Sequence, residues 1–177
     1  MTEQVEQVAR VERDARGLRT TFDEFEVGAS LGSMEWTVYP ENVQGLLDND
    51  DDHHPWYTEN SPFGAPIVPP MATYPPVRLL FLHKYNVRGL FYIYESEFIK
   101  PMFYGQKITI SGKICDKWIK RDREYVMYEA EGVNEEGAIV FRTKRAHALD
   151  YIPRTAPRAG IGVDSGLATK SNSGGEV

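Results

Sequence analysis

Apolar and polar side chains alternate most regularly in the second half of the chain. In KITISGKI, residues 107 to 114, Ile108, Ile110 and Ile114 fall on one face. Val126, Tyr128 and Ala130 then alternate with Tyr125, Met127 and Glu129, and Ile139, Phe141 and Thr143 alternate with Val140 and Arg142. A period of two with one apolar face is that of a half-buried strand, and β-branched residues favour it. Three successive strands are therefore predicted. Their connections carry turn chemistry: Lys120-Arg121-Asp122 is a polar tip, and Asn134-Glu135-Glu136-Gly137 ends in a residue free to take positive φ. An antiparallel meander follows. Upstream, FYIYESEF (91–98) reads as another strand and SMEWTVY (33–39) as the first, which gives a sheet of about five strands.

Between the first strand and the rest, one segment has substantial helical character, Pro76 to Lys84. Proline opens it, where a missing N–H has no helical partner to lose. Val77, Leu79, Leu80, Phe81 and Leu82 make it apolar nearly all round, the pattern of a helix buried in a core. The expected architecture is α+β: a single domain in which an antiparallel sheet wraps around a central apolar helix, the hot-dog arrangement. Val5, Val8 and Val11 recur at helical spacing within residues 2–17 and predict a short amphipathic helix, so residues 1–21 are read as an N-terminal arm and 22–153 as the domain. From 154 to 177 Gly, Ser, Thr and Pro dominate, and that stretch is read as a disordered tail.

Composition narrows the partners. The chain has 177 residues, 41% of them hydrophobic, enough for one real core. A net charge of −6 without a basic run argues against nucleic acid and anionic membrane surfaces. No apolar run approaches the roughly 18 residues of a membrane helix, and the charged N-terminus is unlike a secretory leader. A cytoplasmic protein with small-molecule or protein partners is expected. The single cysteine, Cys115, rules out an internal disulfide framework and is read as a buried small side chain in a strand.

The chemistry concentrates in DNDDDHHPWY, residues 48–57, with four carboxylates and two of the four histidines. Three readings are open: a solvated acidic loop, a metal site using Asp50, Asp52, His53 and His54, or part of a proton-transfer site. Adjacent residues converge poorly on one ion and no His-x-x-x-His spacing is present, so no metal or other cofactor is assigned. His83, late in the apolar helix, is read as packed or capping, and His147 as core or pocket wall.

FEVGASLGSMEWTVYPENV (25–43), DHHPWY (52–57), IVPP (67–70) and FIKPMFYGQ (98–106), taken in order, resemble landmarks of the MaoC-like acyl dehydratase and enoyl-CoA hydratase family, and the resemblance runs from about residue 22 to 150. FEVGASLGSMEWTVYPENV (25–43) looks like that family's start, and Phe98 to Gln106 like the segment leading into its meander. The family's hydration motif, Asp-x-Asn-Pro-x-His followed by Ile-Ala-x-Gly, falls on Asp52-His53-His54-Pro55-Trp56-Tyr57 and Ile67-Val68-Pro69-Pro70. Asp52 and Pro55 agree. His54 stands for the motif's asparagine, Tyr57 for its histidine and Pro70 for its glycine. The resemblance implies an acyl-CoA substrate, Asp52 as base, His54 or Tyr57 as proton donor, and a thioester-oxygen donor at Met71 or a neighbour, because Pro70 has no N–H. Trp56, Pro70, Met71, Arg78 and Lys100 are the candidate substrate contacts, with Lys84, Arg88 and Arg145 as further cations and Phe63, Tyr74 and Phe103 as further tunnel aromatics. It also implies a homodimer, or a heterodimer with another hot-dog subunit. A tyrosine form of the motif followed by Pro-Pro equally resembles the non-catalytic halves of such assemblies, and thioester hydrolysis on the same fold is a third reading.

Overall fold

The computed structural model describes residues 13–149. In chain order it runs β1 (Arg13–Asp14), β2 (Gly17–Leu18), β3 (Ser30–Thr37), α1 (Pro40–Asp50), α2 (Pro55–Thr58), α3 (Tyr74–Lys84), β4 (Gly89–Phe98), β5 (Lys107–Lys120), β6 (Arg123–Asn134) and β7 (Ile139–Leu149). Short 3₁₀ turns stand at Phe22–Glu24 and Pro70–Thr73. No helix among the described residues is long and apolar enough to cross a membrane.

Five antiparallel strands form the main sheet in the order β3-β5-β6-β7-β4. The three-strand meander stands as expected, and each of its turns has a visible cause. Lys120 pairs with Arg123 across Arg121 and Asp122, both in left-handed backbone (φ 52° and 58°), as a two-residue hairpin matching strand twist requires. Gly137 takes φ 76° and its N–H returns to the Asn134 carbonyl at 2.9 Å. At Gly132 the need is space, since a Cβ there would lie 2.2 Å from the Phe141 ring.

Helix α3 lies against β3 and β5, and its residues Pro76, Val77, Leu80 and Phe81 are buried with Phe25, Ile110, Ile114 and Tyr128 in one core. Phe81 and Tyr128 stack at 4.3 Å with rings 6° from parallel. This is the expected hot-dog arrangement, a helix held in the concave face of a sheet. The helix is less enclosed than its sequence implies: Leu79 is 47% exposed and Arg78 faces out, because one sheet covers only one side of a helix.

Three further expectations change. Residues 13–17 of the expected amphipathic helix form a hairpin instead. Gly17 (φ 109°) breaks helical backbone, and the Asn86 side chain donates to the Gly17 and Leu18 carbonyls, while Arg16 donates to the Val87 carbonyl. Cys115 is half-buried, at the bulge between Ile114 and Asp116 where β5 departs from strict alternation. His83 is exposed in the last turn of α3. The rest of the arm and the tail lie outside the described residues.

Candidate active site

The acidic stretch is the end of one helix and the start of another. Proline at its first position and a hydrogen bond from the Tyr39 N–H to Asn42 Oδ1 (3.0 Å) start α1. The helix ends at Asp51, a non-glycine residue in left-handed backbone (φ 50°, ψ 36°), and the Asp51 and Asp52 N–H groups both return to the Leu47 carbonyl. This reversal places Asp52 back over Leu47. Asp48 accepts from Gln44 and lies 3.8 Å from His53, on the exposed side.

Helix α2 is one turn capped by His54, whose Nδ1 accepts the Trp56 N–H at 3.2 Å. The Trp56 carbonyl accepts the Ile67 N–H at 2.8 Å, and the Val68 N–H donates to Met102 at 2.8 Å. These two bonds lay the Ile67–Pro70 segment beside the acidic one. The separate halves of the motif therefore meet in space.

Where they meet is a cavity of about 200 Å³. Asp52, Tyr57, Pro70 and Met71 line it with Asp50, and Leu46, Leu47 and Pro69 supply an apolar wall. The Tyr57 hydroxyl lies close to the Asp52 carboxylate, and burial, then the Asp52 charge and its pull as a hydrogen-bond acceptor, raise the Tyr57 pKa. Such a phenol keeps its proton at neutral pH. The Tyr104 hydroxyl lies near Tyr57, buried and, among the described residues, without a hydrogen-bond partner, and burial raises its pKa also.

The Pro70–Thr73 turn leaves one N–H open. The Ala72 N–H bonds to Pro69 (2.9 Å) and the Tyr74 N–H to Met71, while among the described residues no carbonyl accepts the Met71 N–H. Pro70 cannot donate. A cavity lined by Asp52 and by Met71, whose N–H no described carbonyl accepts, suits a reaction that moves a proton and gathers charge on a carbonyl oxygen.

Other candidates fall elsewhere. His54 does not line the cavity; its ring lies 5.0 Å from Trp56 and 5.9 Å from Tyr57, and no imidazole lines the cavity wall. Trp56 is 41% exposed and meets Phe63 edge-on. Arg78 is exposed on α3, its charge felt by Tyr128 and His147. Lys100 is exposed beyond β4. Arg145, grouped by sequence with the candidate substrate-binding cations, is fully buried on β7, because it continues the inward phase of Phe141 and Thr143. His147, two residues on, stacks beside Phe81 and Tyr128, and burial, then Arg78 and Arg145, push it down to about 4.

A larger depression of about 690 Å³ lies on the outer face of the sheet. Glu95, Glu97, Glu129 and Glu131 alternate there with Lys113, Arg142 and Lys144, paired as Lys113–Glu129 (3.2 Å) and Arg142–Glu131 (3.7 Å). Such exposed cross-strand pairs neutralise one another. The smaller cavity is the candidate site. Among the described residues no cluster of His, Cys, Asp or Glu is arranged to hold a metal ion.

No protein-family model and no curated protein matches the sequence. Solved structures do match in shape. A monoamine oxidase regulatory protein from Archaeoglobus fulgidus has a TM-score of 0.65 at 20% identity, over 76% of this chain and 97% of its own. An (R)-hydratase from A. caviae involved in PHA biosynthesis gives 0.61 at 16%, over 72% and 98%. A chain of the ChsH1–ChsH2 complex from Mycobacterium tuberculosis gives 0.58 at 12%, over 71% and 98%. MaoC-like dehydratases, one from Rhodospirillum rubrum, are similar too. The chain has the hot-dog fold of these hydratases and dehydratases.

Proposed function

We propose that this hot-dog chain is a hydratase or dehydratase of acyl-CoA thioesters, with Asp52 as its acid and base. The observation that supports the reading is the meeting of Asp52, Tyr57 and Met71 around one cavity, with the Met71 N–H taken by no described carbonyl. In the hydration direction Asp52 takes a proton from water as the oxygen bonds to Cβ of the enoyl thioester. The C=C electron pair moves toward the thioester oxygen, which accepts the Met71 N–H. Asp52 then returns the proton to Cα, which leaves one hydroxyl and one hydrogen added. Tyr57 holds the carboxylate in place throughout.

A second reading is that the chain is one half of a heteromeric enzyme. Two observations favour it: no imidazole lines the cavity, and about 200 Å³ accommodates a thioester head but is small beside the 300–1,000 Å³ of most ligand pockets. The ChsH1–ChsH2 likeness is to a two-protein complex. Strand β4 offers a place for a second chain, since it is an edge and exposes Leu90, Phe91, Tyr92 and Phe98. Pairing there with a copy or with another hot-dog chain would continue the sheet, and a monomer by light scattering at micromolar concentration would contradict it.

The deciding experiment follows hydration, dehydration and CoA release with a panel of enoyl-CoA and 3-hydroxyacyl-CoA thioesters. Turnover by the purified chain alone supports the first reading. Turnover only with a second hot-dog subunit supports the other, and CoA release without hydration replaces both with a thioesterase.

A further inference from the structure

Arg145 is fully buried, and among the described residues no carboxylate pairs with it. Removing a guanidinium from water without a counter-ion is costly, and an apolar side chain of similar volume would be cheaper for stability alone. What it does instead is grip the donor turn. Its Nη1 donates to the Tyr74 carbonyl at 2.8 Å and its Nη2 to the Thr73 carbonyl at 3.4 Å, while Nε reaches Thr143 Oγ1 at 3.4 Å. Tyr74 and Tyr94 flank the guanidinium with ring centres 4.9 and 5.1 Å away. From these contacts two links run to the cavity: the Thr73 hydroxyl donates to the Pro70 carbonyl at 2.8 Å, and the Tyr94 hydroxyl meets Met71 Sδ at 3.9 Å.

We propose that Arg145 is a positioning residue for the cavity, tying the Pro70–Thr73 turn to the sheet so that the Met71 N–H keeps its direction. This deepens the hydratase reading and rests on it for its catalytic meaning. Arginine suits the task because its planar fork serves two adjacent carbonyls at once, which a lysine ammonium on a flexible stem does not fix in the same way. The buried positive charge also favours negative charge gathering at the turn.

The test measures amide hydrogen exchange at Ala72 and Tyr74, whose N–H groups close the turn, in the full chain and in Arg145→Met and Arg145→Lys. Exchange there is expected to quicken about tenfold or more in Arg145→Met and by less in Arg145→Lys, while Val126 and Tyr128 in β6 stay protected. In steady state kcat should fall about tenfold or more with KM held within about threefold, and lysine should restore part of the loss. Should Arg145→Met fail to fold, Arg145→Lys and Tyr94→Phe carry the same measurement. Exchange within about twofold of the natural chain in folded variants, or acceleration spread equally over β6, would overturn the proposal. Local acceleration in a chain whose natural form turns over no thioester leaves the clamp standing and removes the hydratase reading.

Discussion

Two groups of ionisable side chains divide this molecule, and they do opposite things with burial. Asp50, Asp52, His53 and His54 are exposed at the ends of α1 and α2. Tyr128, Arg145 and His147 are enclosed under α3, where burial takes Tyr128 up to about 12 and His147 down to about 4. The most perturbed groups therefore lie away from the Asp52 cavity. Desolvation acts on any polar group that shares a core, so a large shift marks burial first and chemistry only where geometry adds a reacting space. In the exposed group geometry does the work: one left-handed residue, one capped turn and one bond from Ile67 bring Asp52 to Met71.

If the buried group is structural, its loss should cost the fold most. Phe81→Ala removes the ring that stacks on both Tyr128 and His147 and should destabilise the chain by about 3–5 kcal/mol in urea unfolding. A loss below about 1 kcal/mol would show the stack is not the centre of the core.

The same group predicts a pH dependence. His147 has its proton affinity lowered on folding, from 6.5 to about 4, so below pH 6.5 the unfolded chain binds more protons than the folded one. Its contribution is present in full above pH 6.5 and is lost as pH falls toward 4, about 3 kcal/mol in all. As pH falls through this window the natural chain should therefore lose about 3 kcal/mol relative to His147→Leu, whichever of the two is the more stable at neutral pH. Parallel curves would mean His147 does not titrate as a buried group.

In the exposed group, effects on stability should be small and effects on turnover specific. Tyr57→Phe removes the hydroxyl beside Asp52 and should lower turnover by about tenfold with little change in melting temperature. A loss as large as that of Asp52 itself would make Tyr57 the proton donor. Smallest of all, Asp51→Gly should stabilise the chain by about 1 kcal/mol, because Asp51 combines left-handed backbone with a negative charge at a helix C-terminus. A destabilised Asp51→Gly would show that its side chain holds the site loop.

The difference between the groups also explains what the sequence makes legible. Strand alternation at Ile108, Ile110, Val126 and Tyr128 reads directly as an inward face, since a period of two leaves few alternatives. Arg145 is readable by the same rule, in phase with Phe141 and Thr143, yet its charge groups it with the substrate-binding cations, and the phase is the better guide. At residues 13–17 valine spacing favoured a helix, but Gly17 and the distant Asn86 decide the backbone, and such a partner is invisible locally. Asp52, Tyr57, Pro70 and Met71 were grouped through the motif resemblance. The role of His54 as a cap was not legible, because an imidazole that accepts its own helix's N–H looks in sequence like one free for catalysis.

The central claim is that Asp52 moves the proton. It is tested most directly by Asp52→Asn in the chain that turns over an acyl-CoA, assayed beside Asp50→Asn, with binding and fold measured on the same samples. Asp52→Asn should keep fold and acyl-CoA binding and lose at least about a hundredfold in turnover, while Asp50→Asn changes it by no more than a few-fold. Turnover of Asp52→Asn within a few-fold of the natural chain would contradict the claim and return the acidic stretch to a solvated helix end.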